Sequence, residues 1–280
     1  MSLGKVGLIA GAGDLPHFAL KELLLQNIPS FVYLIDQAAQ YSDYEKYKNK
    51  ITLRTTNVTA LASLLKLMKQ DGITHLLFLG KIEKKNLFKN IKFDSLSMKL
   101  ISRLKNLGDH QIFDSLSEIF TNKGFKILPQ TSFLQTLLLK DGIYSRKKPG
   151  KLLIPEIKFG MEMALNLSKL DIGQTVVVSR KTVIAVEGIE GTDNTIQRAL
   201  SFIGRHPLVI CKSCKTSQDT RFDMPTIGVH TLDLIPEIKN EVVIAVEAER
   251  TLVVDPEKFI KKINEKKFIF CVVASKDKIN

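Results

Sequence analysis

Short apolar runs alternate along the chain with segments whose apolar residues recur every three or four positions, a pattern that predicts an α/β fold. Residues 5–10 (KVGLIA) form an apolar run ending at Gly11 and Gly13, the mark of a buried parallel strand. Residues 16–26 place Phe18, Leu20, Leu23 and Leu24 at helical spacing, with Pro16 suited to the first turn. A strand at 30–35, a helix at 58–71 and a strand at 73–80 follow. That helix lines up Leu61, Leu64, Leu65 and Met68, with Asn57 or Thr59 as its cap. The alternation predicts a Rossmann-like, doubly wound parallel sheet that binds ligands at the carboxyl ends of its strands. Helices at 94–107 and 110–123, a strand at 125–128 and a helix near 131–139 complete a first domain, residues 1–140.

Residues 141–155 hold two prolines, two glycines and four basic residues without clear periodicity, and read as a linker. A second α/β domain with a mixed sheet is expected over 156–280. It opens with a helix at 156–169, then a hairpin of strands 174–179 and 182–186 turning through Ser179-Arg180-Lys181. A helix from about 194 to 203 has Thr192 or Asp193 as its natural cap. Strands at 207–211, 226–230, 242–246 and 251–254, a helix at 256–265 and a last strand at 268–273 fill the rest.

Composition narrows the class only a little. No run approaches the roughly 20 apolar residues of a transmembrane helix. The N-terminal apolar stretch is cut short by Asp14 and Pro16, which makes it a strand rather than a targeting segment. Forty-one Lys and Arg against 29 Asp and Glu give a net charge of +12. Such a field attracts phosphates, nucleic acids and anionic membranes alike. The basic residues are dispersed, with modest clusters at 81–92 and 146–151, and no basic-aromatic stripe marks a nucleic-acid groove. Three cysteines exclude a disulfide scaffold, and the one CxxC, Cys211 and Cys214, cannot complete a four-cysteine zinc site. No helical pattern follows it, so two incidental thiols are expected there.

Three segments carry candidate chemistry. Gly11-Ala12-Gly13 follows the first strand, where glycines allow a tight turn and close approach of a phosphate. Pro16 occupies the third position of a dinucleotide-binding GxGxxG, although Asp36 stands where a ribose-binding acid could lie. Glu187-Gly188-Ile189-Glu190-Gly191-Thr192-Asp193 sets three carboxylates and two glycines between a strand and a helix. Its amides suit an anion and its carboxylates suit Mg²⁺, which takes a few oxygens plus substrate phosphates. The same residues also suit a plain capped helix start. In Gln218–Thr226, Arg221 offers bidentate phosphate contacts and Asp223 is a candidate metal ligand or general base, while the two could equally form an ion pair.

Taken in order, GLIAGAGDLP, DIGQTVVV, AVEGIEGTD, QDTRFDMPTIG and LVVDPE resemble the LpxI family, the UDP-2,3-diacylglucosamine pyrophosphatases of lipid A synthesis, over about residues 5–273. The resemblance implies a magnesium-dependent two-domain hydrolase, cytoplasmic, with its substrate held between the domains and a homodimeric state. It places the catalytic aspartate at Asp223, with Arg221 beside it. The diphosphate loop falls on Glu190, Gly191, Thr192 and Asp193, and the glycine turn on Gly11, Ala12 and Gly13. Gly80 and Thr226 join them as substrate contacts, with Asp223 and Asp193 as the metal ligands. Two positions depart: His110 replaces the second acid of a G-D-D at 108–110, and Met224 replaces a leucine. The amphiphilic nucleotide-sugar lipid implies docking at the inner-membrane surface, to which a net charge of +12 is suited. Two other readings stay open on the residues alone: a dinucleotide- or nucleotide-sugar-binding oxidoreductase, and a basic nucleic-acid-binding protein.

Overall fold

The structure is a computed structural model that describes residues 3–35, 39–57, 60–81, 93–103, 109–215 and 218–274. The chain forms two compact units, Met1–Leu134 with Thr220–Phe222, and Gln135–Asp219 with Asp223–Asn280.

The first unit is the doubly wound sheet that the apolar runs predict. Its strands are β1 (Val6–Ala10), β2 (Ser30–Ile35), β3 (Thr52–Thr56), β4 (His75–Leu79) and β5 (Lys126–Ile127). They are parallel throughout, in the order β3-β2-β1-β4-β5. All five residues of β1 are buried, as befits a central strand covered on both faces. Helices α1 (Leu15–Leu25) and α2 (Leu61–Gln70) pack against the sheet. The buried face of α2 is Leu61, Leu64, Leu65 and Met68, as the spacing predicts. Helices α3 (Ser95–Arg103) and α4 (Asp109–Asn122) follow.

β3 has no counterpart in the apolar pattern. It is an edge strand, TLRTT, with only intermediate and exposed positions, so it carries no apolar run to detect. The expected cap of α2 is also replaced. Its first amides donate to Asp94 (Ala62 N, 2.7 Å) and Ser97 (Leu61 N, 3.2 Å), more than 30 residues away. Thr59 and Asp36 lie outside the described residues. The helix expected near 131–139 is instead two short 3-10 turns, Gln130–Phe133 and Gln135–Leu137. Leu134 leaves helical geometry between them, at φ −128° and ψ 20°.

Between β1 and β4 the winding reverses, since β2 and β3 lie to one side and β5 to the other. Open α/β sheets bind their ligands at such switch points. Gly11 and Gly80 follow these two strands and meet there. Gly11 N donates to Leu79 O (2.8 Å), and Ala12 and Lys81 form an antiparallel bridge. A Cβ on Gly80 would stand 2.6 Å from the Gly11 carbonyl carbon, and Gly80 sits at φ +91°. Backbone crowding and a left-handed conformation therefore both require glycine here. Gly80→Ala is expected to destabilise the first unit by about 3 kcal/mol, strain and overpacking together. Denaturant titration of the variant checks this.

The second unit is built on a six-stranded mixed sheet. Its members are β6 (Gly142–Ile143), β7 (Thr175–Ser179), β8 (Thr182–Val186), β9 (Leu208–Lys212), β11 (Val242–Glu247) and β13 (Ile269–Val273). Their order is β6-β13-β11-β9-β7-β8, with β13, β11 and β9 parallel. A separate parallel pair joins β10 (Thr226–Ile227) to β12 (Leu252–Val253). Successive residues alternate between two cores. Val176, Val178, Val209, Val243 and Ile269 face helix α5 (Leu153–Lys169). Val177, Ile210, Ile244 and Phe270 face a second core with α6 (Gly191–Leu200) and α8 (Pro256–Glu265). β7 and β8 form the expected hairpin, turning through Arg180 (φ 51°) and Lys181 (φ 54°).

Residues 141–155 are not a free linker. β6 pairs antiparallel with β13, Tyr144 N donates to Phe270 O (3.0 Å), and α5 begins at Leu153. A two-residue edge strand flanked by basic residues has no periodicity to betray it. The strand expected at 226–230 stops at Ile227, and Val229–Asp233 forms the short helix α7.

Candidate functional site

Thr192 is the hub of the second unit's candidate site. The chain leaves β8, passes Glu187, and enters α6 at Gly191, whose φ of +80° turns the loop into the helix. That turn sets Thr192 and Asp193 inside the first turn of α6, not at the cap: the N-cap is Glu190, whose side chain makes no capping bond. The Thr192 hydroxyl therefore points into the fold. It donates to Glu187 Oε1 (3.0 Å), lies 3.3 Å from the Thr175 hydroxyl and accepts from Lys212 Nζ (2.8 Å). Glu187 Oε2 in turn accepts from Gln174 N (3.3 Å).

The other residues of the loop are also engaged. Glu190 forms an ion pair with Arg198 (2.6 Å), and that contact holds its carboxyl below the usual range. Asp193 Oδ1 accepts from the Thr231 hydroxyl (3.2 Å), and its Oδ2 lies 3.7 Å from His230 Nε2.

Asp223 is exposed, between the buried side chains of Phe222 and Met224. This arrangement fixes the backbone and leaves the carboxylate at the surface. Its N–H donates to Asp219 O (3.2 Å). Gln218 Nε2 donates to both the Asp223 carbonyl and Asp223 Oδ2 (2.8 Å to the latter). The Thr226 hydroxyl donates to Met224 O (2.9 Å), closing the turn that follows.

In the first unit, Gly11, Ala12, Gly13 and Gly80 come together at the switch point. Pro16 is buried in the first turn of α1, where a dinucleotide fingerprint needs its third glycine. The His17 ring packs 4.4 Å from the ring of Tyr44, and burial followed by the Lys46 charge lowers its pKa. Arg221 lies with its guanidinium 5.4 Å from the Phe222 ring centroid. Phe222 stacks on Phe113 (4.8 Å) and tilts against Phe78 (5.1 Å). The buried Gln130 clamps this segment: its Nε2 donates to Phe78 O (2.9 Å) and Phe222 O (3.1 Å), and its N–H to Thr220 O (2.7 Å). The motif at 108–110 has Gly108 outside the described residues, and the His110 side chain lies outside them too.

Lys212 and Gln130 escape a reading by motif. Lys212 ends the strand LVICK, where it reads as the polar edge of an apolar run, yet it is only 7% exposed. A lysine is almost never so buried without a task or a partner, and that is the signal the strand offered.

The cysteines are packing residues. All three are free and buried. Cys211 fills the notch that Gly160 leaves in α5, where a Cβ would come 2.5 Å from its sulfur. Burial pushes the Cys211 thiol up strongly, and those of Cys214 and Cys271 up to about 11. None is a nucleophile near neutral pH.

Among the described residues no group of three or more His, Cys, Asp or Glu is placed to hold a metal, and no helix is long and apolar enough to cross a membrane. Mg²⁺ needs no such cage. One or two carboxylates with substrate phosphates and water suffice. The hard oxygens of Asp223 and Asp193 fit that donor set.

Residues 5–137 match the family described as the LpxI N-terminal domain, and residues 140–271 match the LpxI C-terminal domain. A curated relative from Caulobacter vibrioides, named UDP-2,3-diacylglucosamine pyrophosphatase LpxI, is 27% identical over 266 residues. The alignment spans 91% of this chain and 92% of the relative.

Proposed function

This chain belongs to the LpxI family, and from that premise we propose that it hydrolyses the pyrophosphate bond of UDP-2,3-diacylglucosamine, releasing UMP and 2,3-diacylglucosamine 1-phosphate for lipid A synthesis. The observation that carries the proposal is the end-to-end match to a relative of that name, across both domains and 91% of this chain. The site supports it. A diphosphate hydrolase needs charge neutralisation and a placed water more than covalent chemistry. The start of α6 offers backbone amides to orient phosphate oxygens, on a turn that Thr192 anchors through its bond to Glu187.

In the proposed reaction, a water oxygen bonds to one phosphorus and the bridging P–O bond breaks. The bond's electron pair leaves on the other phosphate. Asp223 accepts the water's proton, held for that task by Gln218. Arg221 offsets charge on the phosphates. Asp223 and Asp193 would hold Mg²⁺, which would supply further neutralisation of the phosphate charge. We further propose that the enzyme meets its lipid at the cytoplasmic face of the inner membrane, a docking that its net charge of +12 favours.

The test is product analysis. Purified protein incubated with UDP-2,3-diacylglucosamine should release UMP with Mg²⁺ and lose that activity in EDTA. Intact substrate after incubation with folded protein and Mg²⁺ would reject the proposal.

A further inference from the structure

The mechanism above gives no part to Lys212, and the geometry around it calls for one. Lys212 ends β9 at the carboxyl edge of the parallel strands and is 7% exposed. Its Nζ donates to one neutral acceptor, the Thr192 hydroxyl, at 2.8 Å. Among the described residues no carboxylate lies within ion-pairing distance of it. Glu187, Asp223 and Asp193 act on it only through space. An ammonium has three N–H donors, so two of them lack an acceptor within the described fold.

Burying a cation this way is costly, and replacing it with an apolar residue would relieve the cost. A purely structural role does not account for that. The acceptor it does reach, Thr192, stands in the first turn of α6, whose free amides favour an anion.

We propose that Lys212 is a catalytic residue that binds the diphosphate of the substrate, its two open N–H donors meeting phosphate oxygens beside Thr192. The assignment rests on the reading of the chain as a diphosphate hydrolase and adds to it a residue and a role. When the bridging bond breaks, its electron pair and the new negative charge settle on the departing phosphate. Lys212 keeps its proton throughout and neutralises that charge from a buried position, where water screens it little. Thr192 then has two tasks: it orients Lys212 by accepting from it, and it passes the contact on to Glu187. Burial lowers the Lys212 pKa, while Glu187, Asp223 and Asp193 raise it in that order. An arriving diphosphate favours the charged form further.

The experiment uses the full chain, UDP as a probe that needs no turnover, and the variants Lys212→Met and Lys212→Gln. Calorimetric titration should show UDP affinity falling about tenfold or more in both, the loss expected of a charge-assisted hydrogen bond. With the lipid substrate, kcat/KM should fall about 100-fold while the melting temperature holds or rises. Variants that bind UDP within twofold of the parent would overturn the assignment, as would a parent protein that binds no UDP. A parent that binds UDP but leaves the lipid substrate intact would reject the reaction and leave the phosphate contact to be judged on UDP alone. Should neither variant fold, a crystal structure of the parent with UDP decides. Lys212 Nζ should lie about 2.8 Å from a phosphate oxygen, and an Nζ that contacts no phosphate oxygen would end the proposal.

Discussion

Asp223→Asn is expected to reduce kcat by about 1,000-fold while leaving the fold intact, the size of loss that follows removal of a positioned general base. The substitution is well placed for a clean reading. Asp223 is exposed, so exchanging its carboxylate for an amide should change stability by no more than about 0.5 kcal/mol. The asparagine oxygen can still accept from Gln218 Nε2, and the backbone N–H keeps its bond to Asp219 O. What the variant loses is the charge and the basicity. A drop in kcat with little change in KM would assign the residue to the transition state rather than to substrate binding. Gln218→Ala is a useful companion, because it frees the carboxylate without removing it and should cost far less. If Asp223→Asn turned over at near the parent rate with unchanged magnesium dependence, neither a base nor a ligand role for Asp223 would survive.

The fold was legible wherever burial was complete on both faces. β1, β2 and β9 announce themselves as apolar runs because all of their residues but Phe31 are buried. The face of α2 was legible for the same reason, its four leucine and methionine positions meeting one sheet. Elements that lie at an edge left no such trace. β3 is polar and β6 is two residues long, so both were hidden in segments that read as loop. Caps were misread where the partner is distant or where a glycine resets the register. Asp94 serves the start of α2 from far along the chain, and the positive φ of Gly191 moves Thr192 from the cap into the helix. The candidate site was legible as motifs but not as a network. Thr192 and Asp223 can be picked from their segments, whereas Lys212 meets Thr192 only because β9 lies beside β7 in the sheet. Nothing in the local sequence encodes that adjacency.

Glu247→Ala should lower the stability of the second unit by about 4 kcal/mol, the cost of breaking a buried charged network by removing one partner. Glu247 ends β11 at 2% exposure. Its Oε2 accepts from the Ser213 hydroxyl (2.7 Å) and from Cys214 N (2.7 Å), and its Oε1 faces Arg250 (3.4 Å). Arg250 also donates to Lys215 O (2.7 Å), so one carboxylate and one guanidinium hold Ser213, Cys214 and Lys215. Alanine would leave the Ser213 hydroxyl and a buried backbone N–H without their acceptor, and would take the counter-charge from Arg250, which keeps its bond to Lys215 O. Glu247→Gln separates the two parts of the effect. It preserves volume and one acceptor but removes the charge facing Arg250, and it should cost about half as much. Thermal and urea unfolding of both variants would measure the difference. A melting temperature within a degree or two of the parent for Glu247→Ala would mean that water replaces the carboxylate at little cost. The order of loss matters for function as well. Ser213 and Cys214 directly follow Lys212 in the chain, so loosening their anchor lets the end of β9 shift. Turnover should then fall in step with stability in the alanine variant, and largely recover in the glutamine variant, where the acceptor for Cys214 N remains.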